Sequence, residues 1–244
     1  HPFSEEIHDE INLLKNNKDI LSDAFYKNLE FGTGGMRGLM GVGTNRINKY
    51  TIGKNTQGIS NFINKNINDN KSVVIAYDCR NNSVNLARVV ANVFSANNIK
   101  VYLFSSLRPT PELSFAVREL NCSCGIVLTA SHNPPEYNGY KVYWEDGGQI
   151  VPPIDNLLIN DIEKVKFKDI NFNSNDELIE IIDEKIDNLF IEKCIKNGLN
   201  TKLKNRAINK IIFTALHGTS TTIIQKLLKK AGYRNISYVE SQMV

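Results

Sequence analysis

The chain has 244 residues, of which 41% are hydrophobic and 23% charged, an ordinary globular composition long enough for one large domain or two modest ones; two are expected. A net charge of +3 with no dense Lys/Arg cluster among aromatics argues against a nucleic-acid partner and leaves anionic small molecules open. No apolar run approaches the roughly 18 to 20 residues that cross a membrane, and the acidic start HPFSEEIHDE is unlike a signal peptide, so a cytoplasmic protein with no membrane partner is expected. Cys79, Cys122, Cys124 and Cys194 are too sparse for a disulfide framework and lack zinc-site spacing, so they are read as reduced thiols.

Residues 4–27 alternate apolar and polar groups at helical spacing, with Ile7, Ile11, Leu14, Ile20 and Leu21 as candidate buried positions. A glycine-rich segment follows, Phe31 to Gly38, in which Gly34 and Gly35 could let backbone amides approach an anion and Arg37 could clamp it. It is not a P-loop, because the Lys-Ser/Thr ending is missing, and no dinucleotide fingerprint aligns to it. From residue 71 onward the pattern alternates: strand over 73–77, helix over 83–96, strand over 101–104, helix over 111–120, strand over 126–129. Such a rhythm predicts a largely parallel sheet covered by helices, with ligands at the carboxyl ends of the strands. The loops at Asp78-Cys79-Arg80, at Arg108-Pro109-Thr110-Pro111 and at Ser131-His132-Asn133 should therefore gather at one edge.

The last of these loops, TASHNPPEYNGYK from Thr129 to Lys141, has the composition of a reaction site. Gly125 to Leu128 suits a buried strand, and Pro134-Pro135 forbids continuing it as a central strand, so Ser131 sits at a strand end. Asn138-Gly139 is read as a turn, after which residues 140–144 return as a strand and carry Lys141 back toward Ser131. A serine hydrolase using Ser131 and His132 is disfavoured, because neighbours on an extended chain point apart and no G-x-S-x-G elbow is present.

A domain boundary is drawn at Val151-Pro152-Pro153, dividing the chain into residues 1–152, a helical connection over 153–206 with helices over 154–164 and 176–197, and a second, unfinished α/β unit over 207–244. In that unit Ile211 to Phe213 is a strand, His217 to Ser220 a loop with helix-capping residues, and Ile223, Ile224, Leu227, Leu228 and Ala231 line a helix that Gly232 ends. His217 is read as structural.

Taken together, FGTGGMRG, YDCR, LRPTPELSFAVREL, TASHNPPEYNGYKVYWEDGGQ and FTALHGTS resemble the alpha-D-phosphohexomutases, in the phosphoglucomutase/phosphomannomutase branch that includes phosphoglucomutase-2-like and phosphopentomutase enzymes. The resemblance runs from about Phe31 to the end. It implies an α/β fold, a mixed and mostly parallel sheet with helices on both faces as domain I, followed by an incomplete second α/β domain. It implies an intramolecular phosphotransferase that interconverts sugar 1-phosphates and 6-phosphates of glucose, with mannose or pentose phosphates open, through a phosphoserine and a bisphosphate.

Within that resemblance Ser131 is the phosphoserine, and its phosphoryl oxygen is a ligand of Mg2+, with glucose 1,6-bisphosphate as the activating donor. His132 and Lys141 flank the phosphoryl group, Lys141 as the group that moves a proton to or from the sugar hydroxyl. Arg37 orients phosphate and helps lower the pKa of that lysine. Thr129, Asn133, Asn138, Gly34, Gly35, Asp78 and Arg80 support the substrate or the loop, Asp78 and Arg80 through an ion pair. His132 is also readable as a hydrogen-bonding loop residue without a proton role. The family's D-G-D-x-D-R metal loop and its sugar-reading and phosphate-binding loops are absent from these residues. The chain is therefore expected to be an N-terminal fragment, itself inactive, of an active mutase; a non-catalytic binding module of mutase descent is the alternative. Neither the preferred sugar nor the oligomeric state is readable.

Overall fold

The structure, a computed structural model, describes residues 3–198 and 205–243. Three apolar runs form its centre: β2 (Ser72–Tyr77), β3 (Lys100–Leu103) and β4 (Cys124–Leu128), with β2 parallel to both of the others. The crossovers between them are α4 (Ser83–Ala96) and α5 (Thr110–Glu119), as parallel pairing requires. Every residue of β2 and β4 is buried, because both faces of the sheet are covered. Strand alternation divides the core: Val73, Ile75 and Tyr77 pack with α4 and α3 (Lys49–Asn66), while Val74 and Ala76 pack with α5 and α7 (Asp183–Lys196).

Antiparallel strands complete one side and a parallel strand the other. β5 (Tyr137–Trp144) runs antiparallel to β4 and to β1 (Gly35–Leu39), and β6 (Ile179–Ile181) parallel to β3. The order is β1-β5-β4-β2-β3-β6, a mixed, mostly parallel six-stranded sheet with helices on both faces. The expected strands and helices between residues 71 and 129 are each found within two residues of their places.

Several expectations are corrected. Asn138-Gly139 is not a turn but lies inside β5, where Gly139 is squeezed between neighbours on both sides: a Cβ there would stand 2.6 Å from the Thr129 carbonyl and 2.8 Å from that of Met36. The glycine-rich segment is not a loop of free amides, since residues 35–39 are β1 and the amides of Gly32 and Gly35 are bonded to each other's carbonyls. Gly35 is required for another reason: its φ is +137°, and a Cβ would lie 2.0 Å from the Tyr140 carbonyl oxygen. The boundary at residue 153 does not fall there, because α6 (Ile154–Lys164) packs on α3, β6 extends the same sheet, and α7 covers its α5 face. The first unit thus continues through α7. The expected helix over 176–197 begins only at Asp183, after β6.

At the N-terminus the single expected helix is two, α1 (Glu5–Leu14) and α2 (Lys18–Phe25), with Asn17 capping the second through its side chain. Ile20 is exposed and Ile7, Ile11, Leu14 and Leu21 only partly covered; Ala24 is the buried residue of the pair. An element not foreseen, α3, starts at a capping box in which Asn48 and Thr51 bond each other's backbone amides. It buries Ile52, Ile59 and Ile63 fully.

The second unit is smaller. β7 (Ile211–Phe213) pairs in parallel with β8 (Ile236–Tyr238), joined by α8 (Ile224–Lys230). Gly232, at φ +94°, ends that helix as expected, while of its five expected buried positions only Ile223 is fully covered. Val244 lies outside the described residues.

Candidate active site

The carboxyl ends of β2, β3 and β4 meet at a cleft of about 400 Å3. Asp78, Cys79 and Arg80 line it from the first loop, Arg108 and Thr110 from the second, and Thr129, Ser131 and His132 from the third. A fourth segment comes from the second unit: Gly218, Thr219 and His217, the last of which is expected from sequence to be structural. The signal available for that segment was the capping-type composition beside a histidine.

Ser131 follows β4 by three residues and has φ +57°, a left-handed conformation that costs a non-glycine residue about 1–2 kcal/mol. Its surroundings hold it there. The Ser131 amide donates to Thr129 Oγ1 at 3.0 Å, and that hydroxyl donates to Asp78 Oδ2 at 2.6 Å. Asp78 Oδ1 accepts from Ser83 Oγ at 3.0 Å, and Ser83 Oγ accepts from Asn138 Nδ2 at 2.9 Å. The Arg80 guanidinium spans the loop and donates to the carbonyls of Ser131 (2.7 Å), Asn133 (2.6 Å), Pro134 (3.0 Å) and Tyr137 (3.1 Å). Its Nε lies 3.4 Å from Asp78 Oδ2. One planar cation thereby turns four carbonyls inward, and the Ser131 side chain is left exposed. The Oδ1 of Asn133 is buried without a hydrogen-bond partner.

The expectation that Ser131 and His132 point apart is overturned. Because Ser131 is left-handed rather than extended, its Oγ lies 3.2 Å from His132 Nδ1. A triad does not follow, since among the described residues no carboxylate orients the imidazole.

Arg37 and Lys141 are placed by strand register. Gly35 is opposite Lys141 and Arg37 opposite Gly139, while on the other side Val127 is opposite Lys141. Directly opposed residues share a face, so Arg37 and Lys141 are on one face, as diagonal neighbours with Cα atoms roughly 7–8 Å apart. The Thr129 amide bonds the Gly139 carbonyl at 3.1 Å, which aligns the approach to Ser131 with that row. The two glycines leave the face between the cations without side chains. Among the described residues neither cation makes a side-chain hydrogen bond or ion pair.

The second unit reaches the cleft through Cys79, whose Sγ donates to the His217 carbonyl at 2.7 Å. Burial, and then the Asp78 carboxylate, push that thiol above its ordinary range, so it stays protonated and able to donate. Leu216 and His217 are both left-handed, at φ +45° and +63°.

Magnesium takes six oxygens and prefers carboxylates and phosphate. Among the described residues no three His, Cys, Asp or Glu side chains are placed so that they could hold a metal ion, and both Asp78 oxygens are engaged by Thr129, Ser83 and the Arg80 amide. These residues alone do not fit such an ion. Among the described residues, no helix is long and apolar enough to cross a membrane.

Residues 28–169 match the family model for phosphoglucomutase/phosphomannomutase, alpha/beta/alpha domain I. The chain is 38% identical over 230 residues to a phosphoglucomutase of Staphylococcus aureus (strain bovine RF122 / ET3-1), covering 90% of this chain and 40% of the relative. It is 39% identical over 232 residues to a phosphoglucomutase of Staphylococcus haemolyticus (strain JCSC1435), covering 89% and 40%. It thus spans about 40% of the length of these curated relatives. Among solved structures, a protein assigned as a phosphomannomutase from Thermus thermophilus superposes with a TM-score of 0.76 at 23% identity, covering 89% of this chain and 47% of that one. A phosphoglucomutase/phosphomannomutase family protein from Burkholderia thailandensis gives 0.65 at 21% identity, covering 85% and 43%. At such identities the structural likenesses speak for the fold alone. The family model covers more than half of the chain, including the serine loop and β2, β3 and β4, whose ends build the cleft, and the chain belongs to the phosphoglucomutase/phosphomannomutase family.

Proposed function

We propose that Ser131 is a phosphoryl carrier and that the protein containing this chain interconverts sugar 1-phosphates and 6-phosphates, glucose phosphate first, through a bisphosphate. The observation that carries the reading is the exposed, left-handed Ser131, held by Arg80 and the Asp78–Thr129 pair beside a sheet face bearing Arg37 and Lys141. A phosphoserine carries nearly two negative charges at neutral pH, and a permanent cation, Arg37, with an amine that becomes cationic as it takes a proton, Lys141, both without polar partners on the neighbouring face, suit a transferring phosphoryl group.

In the forward transfer the Ser131 Oγ–P bond breaks and a P–O bond forms to a sugar hydroxyl. The hydroxyl proton passes to Lys141 in its neutral amine form, which thereby becomes the second cation beside the phosphoryl group, and the Ser131 oxygen takes a proton from a protonated His132, 3.2 Å away. In the return transfer the same groups act in reverse on the other phosphate of the bisphosphate. Magnesium, where bound, would supply charge neutralisation at the phosphoryl oxygens. Chain 1–244 by itself is proposed to lack mutase turnover.

Two measurements test the reading. Incubation with glucose 1,6-bisphosphate should add the mass of one phosphoryl group to Ser131, and to nothing in Ser131→Ala. In the protein that contains this chain, Ser131→Ala should abolish interconversion of glucose 1-phosphate and glucose 6-phosphate; equal activity in both would sink the proposal.

A further inference from the structure

Behind the cleft lies a buried charge cluster that the phosphoryl-transfer reading does not use. Arg108, 4% exposed, lines the cleft and directs its other side into the seam between α5, α7 and α8. Its Nε and one terminal nitrogen donate to Asp187 at 2.8 and 3.2 Å, and that nitrogen also reaches Asp183 at 3.4 Å. Its other terminal nitrogen donates to Ser106 Oγ and to the Leu107 carbonyl. From the second unit Lys226 donates to Asp187 at 3.1 Å. Glu112, one turn along α5, is fully buried, and neither of its carboxylate oxygens has a hydrogen-bond partner; Arg108 Nε, already bonded to Asp187, stands 3.9 Å away.

A charged carboxylate in that position would be a buried ion without hydrogen bonds, which proteins avoid at a cost of several kcal/mol. A protonated carboxyl has a donor to give, and Asp187, which lies 2.8 Å from the same Arg108 Nε that stands 3.9 Å from Glu112, is the neighbouring acceptor. We propose that Glu112 is a neutral acid donating its proton to Asp187, and that the single negative charge left on the pair holds Arg108 at the cleft and Lys226 of the second unit against the first. Glu112 is then a positioning residue acting through Asp187.

The charged and titratable groups around the pair fit this assignment. Arg108 precedes α5, Asp183 and Cys194 are on α7, and Lys226 is on α8. Burial first, and then Asp187, push Glu112 up to about 8, while Arg108 and Lys226 act in the opposite direction. Burial also acts to raise Asp187, but the hydrogen bonds from Arg108 and Lys226, together with the proposed one from Glu112, outweigh it and its carboxyl is held below the usual range. The seam does not depend on whether Ser131 carries phosphate.

The sign follows from linkage. A carboxyl with a raised folded pKa contributes stability that is full below the unfolded value, near 4.5, and is lost as pH rises through about 8. Glu112→Gln keeps a donor toward Asp187 but cannot ionise. The ratio of unfolding equilibrium constants, wild type over Glu112→Gln, should rise about tenfold per pH unit between roughly pH 5 and 8. Infrared spectra of the wild-type chain should show a protonated carboxyl at pH 7 that titrates away near pH 8 and is missing in Glu112→Gln. Lys226→Met should move that midpoint to higher pH. Parallel unfolding profiles, no protonated-carboxyl band at pH 7, or a midpoint indifferent to Lys226→Met would each overturn the proposal. If Glu112→Gln does not fold, the infrared titration of the wild type decides alone.

Discussion

The two units of this chain are built on different principles. In the first, β2 and β4 are covered on both faces and bury every residue, so the sheet edge that carries Ser131 rests on a packed core. In the second, β7 and β8 form a two-stranded sheet with no buried residue, and Ile208, Ile212 and Leu216 are 73%, 67% and 68% exposed. A pair of strands is marginal alone. Among the described residues its polar ties to the first unit are Lys226 to Asp187, Lys230 to Glu192, and the Cys79 thiol to the His217 carbonyl. The rigid unit thus positions the serine, while the wall of the cleft opposite is held by a few charged and hydrogen-bonded contacts.

That contrast can be broken most severely from within the core. Gly35→Ala should cost the first unit about 3 kcal/mol or more, since it adds backbone strain to a Cβ 2.0 Å from a carbonyl oxygen; denaturant unfolding measures it. Ile126→Ala, at a fully buried site, should cost about 2–5 kcal/mol, whereas Ile212→Ala should stay within about 0.5 kcal/mol. Equal losses in these two would erase the distinction between the units.

Arg80→Lys sharpens the comparison at the cleft. A lysine keeps the charge but cannot span four carbonyls, so about 1–3 kcal/mol of loop stability should go, with faster amide exchange confined to residues 131–137 and slower phosphoryl uptake. The smallest effects belong to the seam. Lys226→Met should speed amide exchange in the second unit, at a cost of about 1 kcal/mol, because its partner Asp187 is buried. Lys230→Met, whose pair with Glu192 is exposed on both sides, should change stability by about 0–1 kcal/mol.

Legibility in the sequence followed from how locally each feature is encoded. The alternation from β2 to β4 was readable within two residues because its strands are short apolar runs closed by polar loops. Helix α3 escaped because its buried face includes Thr51, Asn55, Thr56, Gln57 and Ser60, whose polarity hides the helical period although Asn48-x-x-Thr51 marks its start. Its Gly58 has the same origin, since a Cβ there would stand 2.5 Å from the Ile162 backbone of α6. Asn138-Gly139 carries a turn signature, yet the pair is a strand because β1 pairs with both residues on one edge and the Thr129 amide, just past β4, bonds the Gly139 carbonyl on the other.

What the amino-acid order determined by itself is the set of candidate side chains: a serine and histidine at a strand end, a lysine ten residues on, and an arginine in a glycine-rich segment. The left-handed turn that brings Ser131 Oγ to His132, the four carbonyls gathered by Arg80, the shared face of Arg37 and Lys141, and the entry of His217 into the cleft were decided by tertiary structure. Each depends on groups 50 or more residues apart in the chain or on the register of paired strands, and neither is set by local propensity.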